Sequence, residues 1–345
     1  MWYPSDGVSI NLQMLATPGR SDAQKPVDST LFCMSLFRLT ILLLILTGKS
    51  SAEERLLRTV RAHQRWVTCV TFSPDGKRIA SASDGETLKF WTTQGKLKTS
   101  IRVSSSVTSM AFRRDGKRLV TGHWNGAAFI RDASGKKLLA LEGHDENITS
   151  IVFSRDGKSL ASGSGDDTLK VWNATTGEER VEVDTDNEYD VTSVAFSPDG
   201  KHILSGDGEN LVHLWDARDG EEVMTLRGHE ATVSTVTFSP GGKHILSGSW
   251  DDTLKLWNAQ SGREVRTLRG HQGDVTCASF TPDGKRIVSG SEDKTLIVWD
   301  VKSGKKLLTL KGHRDAVTCL AISPDGSTLI SGSKDVLRFW NLGKP

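Results

Sequence analysis

Short runs in which apolar and polar residues alternate follow one another along most of this chain, with glycine-containing turns between them. Between residues 148 and 183 the runs are 148–153 (ITSIVF), 159–162, 169–172 and 179–183. Alternation over a few residues predicts half-buried β-strands, and a glycine at the last turn position, such as Gly157, is typical of a type I turn. The stretch therefore predicts four short strands joined by tight turns.

The same pattern recurs at a nearly constant period. Its first turn carries a glycine in seven places, 40 to 43 residues apart: Gly76, Gly116, Gly157, Gly200, Gly242, Gly284 and Gly326. The units fill the chain from about Arg55 to Leu342 without a linker. A period near forty favours a propeller, because a four-stranded unit can bury its faces only against its neighbours. The pattern predicts an all-β, seven-bladed β-propeller over residues 53–345.

Four units carry a further motif. Gly143-His144 stands some two dozen residues before a Ser-Gly-Ser segment that leads to Trp172-Asn173. The same pairs occur at Gly228-His229 with Trp257-Asn258, at Gly270-His271 with Trp299-Asp300, and at Gly312-His313 with Trp340-Asn341. The array, about 290 residues long, resembles the WD-repeat (WD40) family, and its regularity is similar to that of bacterial and fungal members. The resemblance implies that a strand at Leu56–Val60 completes the last blade and closes the ring.

The resemblance also implies a hydrogen-bonded His–Ser–Asp–Trp set within a blade. Carried over by position, the complete sets are His144, Ser162, Asp166, Trp172; His229, Ser247, Asp251, Trp257; His271, Ser289, Asp293, Trp299; and His313, Ser331, Asp335, Trp340. The other units depart from the pattern at Gly85 in unit one, at Val103, Asn125 and Arg131 in unit two, and at Asn187 and Glu209 in unit four. We expect those three units to be less rigid.

Serine, histidine and aspartate together can also form a catalytic triad. Four copies at one period favour a structural role, and no unit carries a nucleophile-elbow motif. Of the cysteines, Cys69, Cys277 and Cys319 share one repeat position and Cys33 stands apart, a spacing that matches no metal site. The sequence predicts no catalytic residue, no metal and no cofactor. A non-enzymatic scaffold for a protein or peptide partner is favoured over a propeller hydrolase.

Partners of this family commonly dock on the top face, formed by the His-bearing loops and the Asp-bearing turns. The positions that point outward there are Trp66, Asp84, Trp124, Asn147, Asp190, Thr232, Trp250, Asp274, Glu292 and Lys334. Three of them are tryptophans outside the motif, and exposed aromatic side chains commonly anchor interfaces. They are the candidate partner-binding residues, with gap filling between loops as the alternative. A net charge of +2 on 44 basic and 42 acidic residues predicts no specific nucleic-acid partner.

The N-terminal residues differ from the array. Residues 1–33 are polar and irregular, and we interpret them as a non-structured upstream extension. Residues 34–52 begin with Met34 and contain Arg38, an apolar run at 39–47 and a small-residue pattern before Glu53, the layout of a secretory signal peptide. The alternatives are an uncleaved anchor, the one case in which we expect membrane contact, or a meaningless apolar patch. Cleavage predicts an exported, extracytoplasmic protein, secreted or at the cell surface as a structural binding module; without export, the expectation is cytoplasmic.

Overall fold

Every blade of the array consists of consecutive antiparallel strands, except for the last blade. A computed structural model describes residues 55–185 and 189–343, and these form seven four-stranded sheets. The segments 1–33 and 34–52, with their predicted extension and signal peptide, lie outside the described residues. Within the described ranges there is no helix of the length and apolar character needed to cross a membrane.

The strands of blades one to six follow chain order. Blade one contains β2 (Val67–Phe72), β3 (Arg78–Ser83), β4 (Thr87–Thr92) and β5 (Leu97–Arg102). Blade two contains β6 (Val107–Phe112), β7 (Arg118–His123), β8 (Ala128–Asp132) and β9 (Lys137–Leu141). Blade three contains β10 (Ile148–Phe153), β11 (Ser159–Ser164), β12 (Thr168–Asn173) and β13 (Glu179–Asp184), so the four predicted strands are confirmed, and the last three are longer by one or two residues.

The remaining strands repeat this plan. Blade four contains β14 (Val191–Phe196), β15 (His202–Asp207), β16 (Val212–Asp216) and β17 (Glu222–Leu226). Blade five contains β18 (Val233–Phe238), β19 (His244–Ser249), β20 (Thr253–Asn258) and β21 (Glu264–Arg269). Blade six contains β22 (Val275–Phe280), β23 (Arg286–Ser291), β24 (Leu296–Asp300) and β25 (Lys306–Leu310). Blade seven contains β1 (Leu56–Arg61), β26 (Cys319–Ile322), β27 (Thr328–Ser333) and β28 (Val336–Asn341).

Blade seven joins the two ends of the array. Its strand order is β1-β28-β27-β26, and β1 pairs antiparallel with β28, with Thr59 opposite Arg338. The expected closing strand at Leu56–Val60 is therefore present and extends to Arg61. Pairing covers the edge of β28, which would otherwise offer unpaired N–H and C=O groups to other chains.

A ring of hydroxyl groups ties the inner strands together. The second residue of each inner strand, or its equivalent Thr318 ahead of β26, donates to the carbonyl that begins the next blade. The seven pairs are Thr68–Val107, Thr108–Ile148, Thr149–Val191, Thr192–Val233, Ser234–Val275, Thr276–Val317 and Thr318–Val67. The last pair, at 2.5 Å, crosses from blade seven to blade one, so the hydroxyl ring closes with the sheets.

The apolar core lies between neighbouring blades. One buried cluster joins Val120 and Ile130 of blade two to Leu160 and Trp172 of blade three. An equivalent cluster joins Trp91 of blade one to residues of blade seven. Burial of such side chains stabilises the fold by about 1.5–3 kcal/mol each. The polar ends of the blades are thus held on a rigid ring.

Candidate functional site

The candidate site is the top face, the end of the ring at which two particular connections of each blade lie. These are the loop before the inner strand and the turn between the second and third strands. Backbone hydrogen bonds hold loop and turn together, from Trp250 N to Thr232 O in blade five and from Glu292 N to Asp274 O in blade six. Buried side chains beneath these connections form further hydrogen bonds that hold the loop and the turn in place.

In blades three, five and six the four expected side chains form one hydrogen-bonded chain. In blade five, Ser247 Oγ accepts from the Trp257 indole at 2.9 Å and lies 2.7 Å from His229 Nε2. His229 Nδ1 lies 2.7 Å from Asp251. The corresponding His–Asp distances are 2.9 Å for His144–Asp166 and 2.8 Å for His271–Asp293, and Ser162 and Ser289 each accept from their tryptophan.

The chain of donors fixes the state of the histidine. Ser162 Oγ accepts from the Trp172 indole, so its single hydrogen is free for His144 Nε2, and the proton on Nδ1 is donated to Asp166. Burial lowers the pKa of His144 and so favours the neutral ring. Burial would raise the pKa of Asp166, but hydrogen bonds from Thr168 and the nearby His144 lower it to about 2. The chain therefore joins a neutral histidine to an ionised aspartate.

In blade seven the fourth expected set is incomplete, because its aspartate does not bond the histidine. His313 and Trp340 both bond Ser331 Oγ, at 2.6 and 2.9 Å, but Asp335 makes an ion pair with Arg61 at 3.0 Å instead of bonding His313. The reason is the length of the turn. Ser331 and Trp340 are nine residues apart, whereas the equivalent pairs are ten apart, and Ser333 pairs directly with Val336 across a two-residue turn. The aspartate consequently cannot occupy the place that Asp251 has in blade five.

Blade one keeps the chain without an aspartate. His63 Nε2 lies 2.7 Å from Ser81 Oγ, and His63 Nδ1 lies 2.7 Å from Thr87 Oγ1. Gly85 occupies the position of the aspartate, and the threonine hydroxyl takes over as acceptor. Burial, with a smaller effect of Lys89, lowers the pKa of His63 to about 3.

Blade two builds its polar core from a different strand. His123 on β7 lies 3.0 Å from Thr121 Oγ1 and 2.9 Å from Ser105 O, so it replaces the absent loop histidine. Arg131 Nε donates to Thr121 Oγ1 at 3.2 Å, as the indole N–H does elsewhere. His123 is fully buried, and burial lowers its pKa to about 4.

Blade four uses a buried histidine between two carboxylates. His213 Nε2 lies 3.0 Å from Asp207, and His213 Nδ1 lies 2.6 Å from Glu222. Trp215 donates to Ser205 at 2.8 Å, as expected for the motif. Burial opposes protonation of His213, but its hydrogen bonds to Asp207 and Glu222 raise its pKa above the usual value. Asn187, the residue at the loop-histidine position, lies outside the described residues.

The sequence contained a signal for these two rearrangements. One position of the second strand is serine in five units, namely Ser83, Ser164, Ser249, Ser291 and Ser333. It is His123 in unit two and Asp207 in unit four, the two units without a loop histidine. A change at this position thus accompanies each loss of the loop residue, and reading the units only against the family motif misses it.

The ten candidate partner-binding residues divide by exposure. The three tryptophans are the most informative, because Trp66, Trp124 and Trp250 are 39%, 65% and 52% exposed, while every motif tryptophan is buried. Asp190, Glu292 and Lys334 are also exposed, and Asp84, Asn147, Thr232 and Asp274 are half-buried. Tyr189, 47% exposed, stands beside Asp190 and one residue outside the repeat position from which the sequence predicts surface residues.

Four of these residues lie on one continuous stretch of the top face. Asp84 N donates to Trp66 O, Ser106 Oγ donates to Asp84 O, and Trp124 N donates to Ser106 O. Lys334 O accepts from Val67 N, next to Trp66. The structure therefore connects blades seven, one and two through Lys334, Trp66, Asp84 and Trp124, whereas Trp250 lies on blade five.

The buried sets are poorly suited to catalysis. Ser162 is fully buried and already bonds both its tryptophan and its histidine, so a substrate carbon has no access to its hydroxyl. Burial raises the pKa of the Cys69 and Cys277 thiols to about 12, which makes them unreactive. Across residues 55–185 and 189–343, no group of three or more His, Cys, Asp or Glu side chains is arranged to hold a metal ion.

Known proteins share the repeat. The chain is 26% identical over 130 residues to "Nuclear distribution protein PAC1" of Candida tropicalis, which covers 36% of this chain and 24% of that protein. It is 30% identical over 80 residues to "Intraflagellar transport protein 122 homolog" of Danio rerio, a match that covers 23% of this chain and 7% of that protein. It is 36% identical over 81 residues to "Apoptotic protease-activating factor 1" of Danio rerio, a match that covers 24% of this chain and 6% of that protein. The chain thus spans a quarter or less of the length of these relatives.

The family profile matches nearly the whole array. The profile described as "WD domain, G-beta repeat" matches seven times, at residues 54–92, 95–132, 135–173, 180–216, 220–258, 262–300 and 304–341. Each match covers the fourth strand of one blade and the first three strands of the next, so the seven matches together span β1 to β28. The chain belongs to the WD-repeat family.

Proposed function

We propose that this propeller is a non-enzymatic scaffold that binds a protein or peptide partner on its top face. Propellers of this family are generally protein-interaction scaffolds. The observation that carries the finer proposal is the exposure of Trp66, Trp124 and Trp250 on this face. Tryptophan is among the commonest anchors of binding energy, and three exposed indoles on one face therefore favour an interface there.

The polar surroundings of the tryptophans suit a mixed interface. Trp66 and Trp124 stand on neighbouring blades, with half-buried Asp84 between them and exposed Lys334 on the other side of Trp66. An interface core of aromatic side chains with a charged rim is usual for specific protein contacts. A partner segment across blades seven, one and two would bury both indoles and pair with both charges.

A pull-down from the native organism tests this proposal. The bait is the tagged protein, compared with a triple variant carrying Trp66→Ala, Trp124→Ala and Trp250→Ala. We expect proteins to bind the first bait and to be lost from the second, because loss of an aromatic anchor costs about 2 kcal/mol or more of binding free energy.

The outer strands offer a matched control. Leu138, Val223 and Leu307 are 50%, 47% and 55% exposed, and they lie on β9, β17 and β25. A bait with all three replaced by alanine removes a similar number of exposed apolar side chains from another surface. Partners retained by this control and lost by the tryptophan variant support the top face. Partners that both variants retain contradict it.

The location of the protein is a separate proposal. Residues 34–52 have the layout of a signal peptide, so we infer export and a secreted or cell-surface binding role. Sequencing the N-terminus of the protein purified from its organism tests this directly. A mature chain beginning near Glu53 supports export, and a chain that still carries residues 1–33 rules it out.

A further inference from the structure

Blade seven leaves two neighbouring donors without an acceptor. In blade three, one carboxylate oxygen of Asp166 accepts from both His144 Nδ1 and the backbone N–H of Asp145. In blade seven the equivalent donors are His313 Nδ1 and the backbone N–H of Arg314. His313 is 7% exposed, its Nδ1 is buried, and neither donor has a hydrogen-bond partner among the described residues. The place that an aspartate carboxylate fills in blade three therefore holds no acceptor in the described part of blade seven.

An unpaired guanidinium lies beside these donors. Arg338 occupies the strand position of Lys170 in blade three and of Lys255 in blade five. Lys170 pairs with Glu179 at 3.1 Å and Lys255 with Glu264 at 2.8 Å, but Arg338 has no ion pair within the described part of the chain. Its Nε is buried without a hydrogen bond.

The closing strand explains the missing carboxylate. Glu179 stands opposite Trp172, and Glu264 stands opposite Trp257, on the fourth strands of their blades. The residue opposite Trp340 is Leu56 of β1. Because β1 comes from the other end of the array, blade seven receives an apolar residue where blades three and five receive a glutamate.

A cavity opens at this place, and its charge is positive. It measures about 400 Å³, and its lining includes Arg61, Arg314, Lys334, Arg338, Asp315 and Asp335. Arg61 and Asp335 neutralise each other at 3.0 Å. Three basic side chains then face a single remaining carboxylate, Asp315. Arg314 and Arg338 both line the cavity, and neither makes an ion pair within the described part of the chain. Burial and the nearby charge of Arg314 both lower the pKa of Arg338.

We propose that this cavity at the top of blade seven binds an oxyanion, specifically a phosphate group. One phosphate oxygen accepts from the backbone amide of Arg314, a residue that lines the cavity. Arg314 and Arg338 bind further oxygens, a geometry for which guanidinium groups are well suited. Phosphate fits better than a carboxylate, because its charge of about −1.5 to −2 balances the two unpaired arginines. This site shares Lys334 with the partner surface proposed above, but none of the three exposed tryptophans lines the cavity.

Calorimetric titration of the full chain with inorganic phosphate, at constant ionic strength, tests the proposal. We expect saturable binding of one phosphate, and Arg338→Gln should raise Kd by roughly tenfold or more, since a charged hydrogen bond is lost. The matched control is Lys255→Gln, which removes an equivalent lysine that is already paired with Glu264. Its phosphate affinity should stay unchanged.

A second variant removes the site without removing any basic residue. Leu56→Glu places a carboxylate where blades three and five have Glu179 and Glu264, so that Arg338 gains an internal partner. We expect this variant to remain folded, with its melting temperature as the check, and to lose phosphate binding. Lack of binding by the wild type, or equal binding by wild type, Arg338→Gln and Leu56→Glu, would overturn the proposal.

A parallel titration with N-acetyl-phosphoserine amide identifies the source of the phosphate. Tighter binding of this monoester indicates a phosphorylated side chain of another protein. Tighter binding of inorganic phosphate indicates a free ion. Either result supports the oxyanion site if Arg338→Gln weakens the binding.

Discussion

Blades five and seven have the same four motif residues, His, Ser, Asp and Trp, but only in blade five do all four form one hydrogen-bonded chain. Asp251 bonds His229 in blade five, whereas Asp335 faces Arg61 in blade seven because its turn is one residue shorter. Blade four shows the reverse: it lacks the motif histidine and aspartate but builds a buried chain from Asp207, His213 and Glu222. The comparison teaches that the buried polar chain depends on the length and origin of the strands as much as on residue identity.

The largest expected effect comes from the fourth strand of blade seven, which is β1, whereas the fourth strand of blade five follows its third strand in the chain. Deleting residues 53–61 removes β1, which only blade seven borrows from the other end of the array. We expect the variant to aggregate, because β28 then presents an open edge and the cluster between blades seven and one is exposed. Light scattering measures this, with a nine-residue deletion at 10–18 as control. Unchanged solubility and melting temperature would refute closure by β1.

The next effect tests the two aspartates against each other. Asp251→Ala leaves His229 Nδ1 and the Glu230 amide without an acceptor, so we expect a loss of roughly 2–4 kcal/mol in the free energy of unfolding. Asp335→Ala removes a surface ion pair and should cost less than about 1 kcal/mol. Urea unfolding of both variants measures the difference. Equal losses would contradict the assignment of different roles.

A pH profile distinguishes blade four from blade one. The pKa of His213 is raised in the folded state, so its contribution to stability is fully present below the unfolded pKa near 6.5. That contribution is lost as pH rises through the folded pKa. The pKa of His63 is lowered to about 3, so its contribution is lost as pH falls from about 6.5 towards 3, with a slope of up to ~1.4 kcal/mol per pH unit.

Two glutamine variants check this difference by urea unfolding between pH 3 and pH 9. His213→Gln should flatten the profile above pH 6.5, and His63→Gln should flatten it below that value. If His213→Gln instead changes only the acid side, the pairing of His213 with Asp207 and Glu222 is wrong.

The smallest effect concerns the exposed tryptophans. Trp124→Ala should change the free energy of unfolding by no more than about 0.5 kcal/mol, because this side chain is 65% exposed. Trp250→Ala and Trp66→Ala should cost somewhat more, about 1 kcal/mol, because these side chains are 52% and 39% exposed. Trp257→Ala, in the buried chain of blade five, should cost about 3–5 kcal/mol. Thermal unfolding compares the four variants. A large loss at Trp124 would show that this residue fills a gap rather than presenting a surface.

Much of the architecture could be predicted from the sequence because the repeat is local. Each unit contains the residues that form its own strands and turns. The strand Ile148–Phe153 and the closing strand could therefore be predicted without any tertiary information. The complete sets of blades three, five and six lie within one unit, at constant spacing. The candidate surface residues follow from repeat position in the same way, and their role as a binding surface stays a prediction.

The sequence by itself determined the number of blades, the phase of the ring and which tryptophans belong to the motif, because these follow from a period that every unit repeats. Only the tertiary structure decided the partners of Asp335, His123, His213 and Arg338. Their surroundings come from turn length, from neighbouring strands and, for Arg338, from the opposite end of the array. Contacts that depend on such distant pairings are set by packing in three dimensions, and no pattern within a single unit records them.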